Sequence, residues 1–296
     1  MKLALHSVSY AGLWRNQFAL SLHDFLHKAA DLGYQGVELM GKRPHLSILE
    51  MGEREIDAVR SQLHELSLEC ACIAGYTDFT AGSGFIPMLE MQLIYVDGLA
   101  RIAGALHCPI VRIFTGYQTD APYWSQWDAC VKAIRECSKR AAAYGVNIGI
   151  QNHHDIAVDA ASLAALIEEV NEPNCKAMFD AWAPTVQGLD LSAAVRALAG
   201  KIAFTTVADY QRVPCFQYRP DLVNYEQGAD LLKAVPMGEG FIDYEQFFSA
   251  LKAADYDGYV SYEMCSEISG GGSEANLDHY AKTFVRYMKG HGYCET

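Results

Sequence analysis

The chain has 296 residues, 51% of them hydrophobic, and a net charge of −13 from 36 acidic and 23 basic residues. That is enough apolar material for one large core, and a surface so negative repels phosphate backbones, so nucleic acid is excluded as an expected partner. No run of about 20 apolar residues occurs, and His6 and Ser7 interrupt the N-terminal stretch M-K-L-A-L-H-S-V-S-Y before it can form a signal peptide's apolar segment. A cytoplasmic protein without a membrane partner is expected.

Short β-type runs alternate with longer amphipathic segments along the chain, and no low-complexity linker divides it. Leu3–Tyr10 is a first strand, and Ser21–Leu32 a helix with Leu22, Phe25, Leu26 and Ala29 at helical spacing, Ser21 as N-cap and Gly33 as C-cap. Gly36–Met40 is a second strand, Glu53–Leu66 a second helix, Leu68–Ala74 a third strand and Pro87–Leu106 a long helix. Pro109–Phe114 gives a fourth strand and Trp124–Tyr144 a fourth helix. The fifth strand starts at Val146 and breaks into Gln151, Asn152, His153, His154 and Asp155, five consecutive polar side chains that make poor core material.

A helix near Asp159–Val170, a strand at Lys176–Phe179, a helix near Leu191–Leu198 and a strand at Lys201–Val207 follow. Ala208–Gly240 shows no clear period and is rich in Tyr, Pro and Gln, as a lid, a binding loop or a contact in a homo-oligomer would be. Tyr244–Ala254, Gly258–Glu263 and Asn276–Lys289 complete the pattern as helix, strand and helix. Tyr-x-Gly recurs at two helix-to-strand joints, Tyr34–Gly36 and Tyr256–Gly258, a weak sign of internal repetition. Eight strand–helix units over residues 1–296 predict a single-domain α/β fold, a closed (β/α)8 TIM barrel. The nine cysteines include no Cys-x-x-Cys pair, and Cys70 and Cys72 share one face of a predicted strand, which reads as buried free thiols rather than disulfides or zinc ligands.

In such a barrel the C-terminal strand ends meet at one mouth, where active sites are built. In order they offer His6, Glu38, Asp78, Arg112, Gln151 with His153, Asp180, Thr206 with Asp209, and Glu263. Acids closing apolar strands are the strongest of these signals: K-A-M-F-D-A-W carries Asp180 and G-Y-V-S-Y-E-M carries Glu263. Two carboxylates beside amide and imidazole groups suit a hard divalent cation. The plainer roles are a helix N-cap for Asp180 and an internal salt bridge, to Arg112 for instance, for Glu263.

Several phrases together resemble the sugar-phosphate isomerase/epimerase group of the xylose isomerase-like barrels. They are G-Y-Q-G-V-E-L on strand two, Q-N-H after strand five, F-D on strand six, T-V-A-D-Y-Q-R from strand seven, G-E-G-F-I-D-Y before the next helix, and G-Y-V-S-Y-E-M on strand eight. The resemblance spans nearly the whole chain. It implies one divalent metal (Mn, Mg, Co or Zn) held by Glu, Asp, His and Glu, whose places here hold Gln151, Asp180, Thr206 and Glu263. Two match and two depart, which implies a metal ligand set of Gln151, Asp180 and Glu263 that binds weakly or not at all, with His153 as a substitute donor. Arg212 matches a substrate-binding arginine of the ketose 3-epimerases, whereas Ala183 stands where the family has a histidine.

The reaction implied by the resemblance removes a proton next to a carbonyl, helped by a Lewis acid and a general base. An amide cannot accept a proton, so Gln151 disfavours two-glutamate epimerisation. Glu263 alone suffices for aldose–ketose isomerisation, or for β-elimination from a keto-sugar with His153 as acid. The expected catalytic residues are therefore Glu263 and His153, with His6, Arg112, Arg212 and Trp182 binding a small sugar or keto-polyol. Trp14, Tyr76, Phe79, Phe114, Tyr117 and Tyr210 are further candidates for the pocket wall. The competing readings are a sugar-binding barrel that has lost catalysis and a metal-dependent nuclease, the second opposed by the charge and by the shortage of His and acidic ligands.

Overall fold

The computed structural model describes residues 1–81 and 86–294. Seven strands follow in turn: β1 (Lys2–His6), β2 (Gly36–Met40), β3 (Glu69–Ala74), β4 (Ile110–Ile113), β5 (Asn147–Gln151), β6 (Cys175–Met178) and β7 (Ile202–Val207). An excursion of four short strands comes next, β8 (Asp209–Val213), β9 (Phe216–Arg219), β10 (Asn224–Gln227) and β11 (Leu231–Val235), before β12 (Tyr259–Tyr262). Strands β1 to β7 and β12 pair in parallel and close into a barrel, with β1 flanked by β2 and β12. The helices between them are α1 (Leu22–Asp31), α2 (Glu53–Glu65), α3 (Met88–Ala105), α4 (Tyr123–Ala142), α5 (Ala160–Val170), α6 (Trp182–Val186), α7 (Leu191–Ala197) and α8 (Tyr244–Ala253); α9 (Glu274–Gly290) follows β12. The predicted (β/α)8 barrel is the fold of the protein.

Local chemistry explains the element ends. Ser21 caps α1 by accepting the Asp24 N–H, and Asp159, Asp190, Asp243 and Ser273 do the same for α5, α7, α8 and α9. The first strand is shorter than predicted because Ser7–Tyr10 forms a 3-10 turn. There the Ser7 and Ser9 hydroxyls accept the backbone N–H groups of Met40 (2.8 Å) and Met264 (2.9 Å), so side chains replace ladder partners at the barrel mouth.

Inside the barrel the alternation of side chains makes two layers. Ala4, Cys72, Ile110, Met178 and Phe204 pack together as an apolar plug separate from the main core between strands and helices. Two residues further along β1, β4, β6 and β7 come His6, Arg112, Asp180 and Thr206, so the layer above the plug is polar. On β5 the plug position is Gly149, where a Cβ would lie 2.7 Å from Ile110, and two residues on is Gln151.

The 208–240 segment departs from expectation. β8 pairs with β11 and β9 with β10, all antiparallel. Asp209 staples its base: Oδ1 accepts the Tyr210 N–H and Oδ2 accepts those of Gly238 and Gly240, each at 2.9 Å. These strands run four or five residues with mostly exposed side chains, so no buried face imprints a period on the sequence. The helix α6 was not predicted either.

Gly75, just after β3, donates its N–H to the Arg112 carbonyl at 2.7 Å, and a Cβ there would lie 2.7 Å from that same oxygen. Gly75→Ala is expected to destabilise the protein by about 1–3 kcal/mol through this backbone collision, read as a lower urea midpoint with an unchanged slope.

Candidate active site at the barrel mouth

Above the plug lies a cavity of about 580 Å³, within the range of small-molecule sites, lined among others by His6, Trp14, Lys42, Tyr76, Arg112, Phe114, Gln151, His153, His154, Glu263 and Cys265. A hollow of about 820 Å³ at the opposite end, lined by residues such as Leu63, Leu68, Cys70, Pro109 and Tyr259, lies under the N-terminal strand ends, the face of such barrels that serves stability rather than chemistry.

The floor is built around Arg112 on β4, which is 3% exposed. Its guanidinium carbon stands 4.1 Å from the Phe114 ring centre and 4.8 Å from that of Tyr76, and Lys42 Nζ lies 3.7 Å from the Tyr76 ring centre. Glu38, fully buried on β2, lies 3.6 Å from His6 Nε2, too far for a hydrogen bond. His6 Nδ1 accepts the Val8 N–H at 3.1 Å, so in the neutral ring the proton sits on Nε2, towards Glu38. Burial, with Arg112 adding to it, holds His6 well below its ordinary range and keeps it neutral.

Burial dominates the carboxyls too. It pushes Glu38 up to about 7 against the pull of Arg112, and Asp180 up to about 6 against the Gln151 hydrogen bond, the Ala183 and Trp182 N–H groups and, more weakly, Arg112. It pushes Glu263 up to about 8, with the charges of Glu38 and Asp180 adding to the shift and Arg112 opposing it. His153 and His154 share a hydrogen bond between their Nδ1 atoms at 3.0 Å, which requires one donor and one acceptor and therefore rings that are not both protonated. Burial lowers each to about 4. His154 is stacked between Phe114 and Tyr117, with ring centres at 4.2 and 4.1 Å.

Of the residues singled out in the sequence, His6, Arg112, Gln151, His153 and Glu263 line this one cavity. Asp180 sits beside it: its Oδ2 accepts the Gln151 amide N–H at 3.0 Å, and its Oδ1 accepts the backbone N–H groups of Trp182 (3.0 Å) and Ala183 (3.4 Å) at the start of α6. Trp182 stands behind His153, stacked on Tyr210. Arg212 is exposed on β8 over the Phe241 ring, outside the cavity lining. Lys42 and Cys265 were not foreseen as site residues; they follow the strands on loops, where no periodicity marks them, whereas His154, one of the five polar residues singled out after β5, lines the cavity too.

A family model described as a xylose isomerase-like TIM barrel matches residues 26–286. The chain belongs to that family. It is 20% identical over 275 residues to an L-ribulose 3-epimerase of Methylomonas sp. (strain DH-1), covering 88% of this chain and 83% of the relative. Among solved structures, D-psicose 3-epimerase from Clostridium cellulolyticum H10 superposes with a TM-score of 0.76 at 14% identity, covering 99% of this chain and 100% of the other. A probable 3-DHS dehydratase from Bacillus anthracis does so with a TM-score of 0.73 at 20% identity, over 96% and 99%. At those identities the structural matches establish the fold alone.

The xylose isomerase-like resemblance implied a divalent cation, and the donor set as arranged does not fit one. Both Asp180 oxygens already hold N–H donors, and the Gln151 amide nitrogen is turned towards Asp180. The Thr206 hydroxyl donates to the Ser261 carbonyl at 3.3 Å. Of the implied set Glu263 and the Gln151 amide oxygen are left, with the substitute donor His153 on the same cavity, beside the fixed positive charge of Arg112. Among the described residues no three His, Cys, Asp or Glu side chains gather as a metal-ligating group.

The raised carboxyls set a pH dependence. An unfolded chain releases carboxyl protons near pH 4.3, whereas folded Glu38 and Glu263 keep theirs to about 7 and about 8. The folded state binds more protons in between, so these groups cost stability as pH rises across that window. The lowered histidines act in the opposite sense, but only below about pH 6.5. The melting temperature is therefore expected to fall between about pH 6.5 and 8, and Glu263→Gln is expected to flatten that fall, as scanning calorimetry at several pH values will read.

Proposed function

We propose that this protein is a sugar isomerase that removes a proton next to the carbonyl of a small sugar or keto-polyol, with Glu263 as the base. The observation that carries the reading is Glu263, whose carboxyl lines the mouth cavity beside the Cys265 thiol and shares that space with Arg112. A carboxyl pushed towards neutrality by burial is matched to proton transfer from carbon at ordinary pH. Trp14, Tyr76, Phe114 and Tyr117 give the cavity apolar walls for the C–H faces of a sugar. The relatives named for epimerising ribulose and psicose support the substrate class.

Removal of the C–H proton by the Glu263 carboxylate turns the C–H electron pair into a carbon–carbon double bond and moves the carbonyl π pair onto oxygen. Return of that proton to the neighbouring carbon, with a hydroxyl proton passing between the two oxygens, gives the isomer with nothing oxidised or reduced overall. His153 presents Nε2 to a substrate hydroxyl as a neutral ring. Gln151 accepts no proton, so one-face isomerisation fits this residue set better than two-face epimerisation. The same first step followed by loss of a β-hydroxyl would be the lyase reading, which the match to a dehydratase keeps open.

The test is proton exchange in D2O with L-ribulose, D-psicose and D-fructose, followed by NMR at the carbon next to the carbonyl. The wild-type protein is expected to incorporate deuterium into at least one of them, and Glu263→Gln to slow incorporation by about 10²–10⁴-fold. Exchange that is unchanged in Glu263→Gln would remove Glu263 as the base.

A further inference from the structure

We propose that Arg112 takes the place of a divalent cation in this barrel: its guanidinium N–H groups hold the substrate's carbonyl oxygen and the negative charge that gathers there, with no metal required. This rests on the sugar reading above and assigns the electrophile that reading needs.

A guanidinium buried to 3% exposure is ordinarily pinned by a bidentate carboxylate. Here it is not. Arg112 Nε has no hydrogen-bond partner among the described residues, and neither oxygen of Glu38 has one. The group instead lies against the Phe114 and Tyr76 rings, 4.1 and 4.8 Å from their centres. Arg112 lines the cavity together with Gln151 and Glu263. A cation more than nine-tenths buried and without a hydrogen-bonded carboxylate at Nε, on the wall of a small-molecule cavity and next to the candidate base, points to a ligand oxygen.

The charge logic agrees. A divalent ion needs several oxygen or nitrogen donors converging on one point, and Asp180 and Thr206 direct theirs elsewhere. An arginine needs none, because its charge is permanent and covalently positioned. Screened from water by Tyr76 and Phe114, it acts on a developing oxyanion at low local dielectric, where a preorganised donor is most effective.

The experiment measures binding of erythronohydroxamate, a four-carbon polyol hydroxamate that mimics the enediolate, by titration calorimetry in excess EDTA and again in excess Mn²⁺. Binding is expected in EDTA with an affinity that Mn²⁺ leaves unchanged. Arg112→Met is expected to weaken it by about 10²-fold, the scale of losing one oxyanion donor, and Arg112→Lys to fall between, since it keeps the charge and loses the fork. Urea midpoints establish that both variants are folded, and a second arm does not depend on them. Gln151→Glu/Thr206→His is expected to bind Mn²⁺, by its EPR signal, where the wild type does not. Hydroxamate binding that needs Mn²⁺, a folded Arg112→Met that binds as wild type, or wild-type Mn²⁺ binding equal to that of the double variant would each overturn the role of Arg112 and leave the sugar reading standing. Absence of hydroxamate binding overturns it too, and removes the sugar reading only if proton exchange is also absent.

Discussion

A permanent positive charge fixed inside a closed parallel barrel is the constraint to which the site answers. Burying a guanidinium is costly unless charge and contact offset it. Here three carboxyls, Glu38, Asp180 and Glu263, surround it, and all three feel its attraction. Even so, burial outweighs that attraction in each, so their protons stay on to higher pH than in water. The mouth therefore contains one charge that never changes and several that adjust around it. A cavity of this kind can accept an oxyanion at Arg112 and a proton at Glu263 without gathering an uncompensated charge.

The two-residue period of the strands places that charge. Apolar residues at the lower inward positions, Ala4, Ile110, Met178 and Phe204, seal the lumen, and the next inward positions carry His6, Arg112, Asp180 and Thr206. Closing β1 between β2 and β12 then brings His6 beside Glu38 and sets the end of β12, with Glu263, on the same side. No loop has to move for these groups to share one space.

Much of this was legible in the sequence, for a physical reason. Strands buried on both faces are nearly continuous apolar runs, so a polar residue ending one stands out, and His6, Arg112, Gln151, His153 and Glu263 were found that way. Glu38 was legible as an acid within the apolar run of β2, but its place beside His6 depends on the barrel closing against β1. Arg212 was carried over by its spacing from Thr206; the chain turns out at Asp209 into the β8–β11 ladder, which sets Arg212 over the Phe241 ring outside the cavity lining. The short α6 contains a proline and two β-branched residues, and its first N–H groups are held by Asp180. That is a tertiary arrangement no local pattern encodes.

The pattern of agreement and departure within the implied ligand set follows from what each side chain does here. Asp180 is one of the two positions that match, and its carboxyl is committed to three N–H donors: two that start α6 and one that holds Gln151 in place. A glutamate in place of Gln151 would set a second carboxylate against Asp180, a repulsion that a bound cation would relieve; the amide instead donates to Asp180 and needs no cation. Thr206, short enough to turn back on the Ser261 carbonyl, is fully buried and lies outside the cavity lining. Glu263, the other match, keeps its carboxyl at the cavity with no such structural duty. The two residues shared with the implied set are thus one that builds the wall and one whose carboxyl stays at the cavity, and at the two that differ the side chains present are satisfied by hydrogen bonds without a cation.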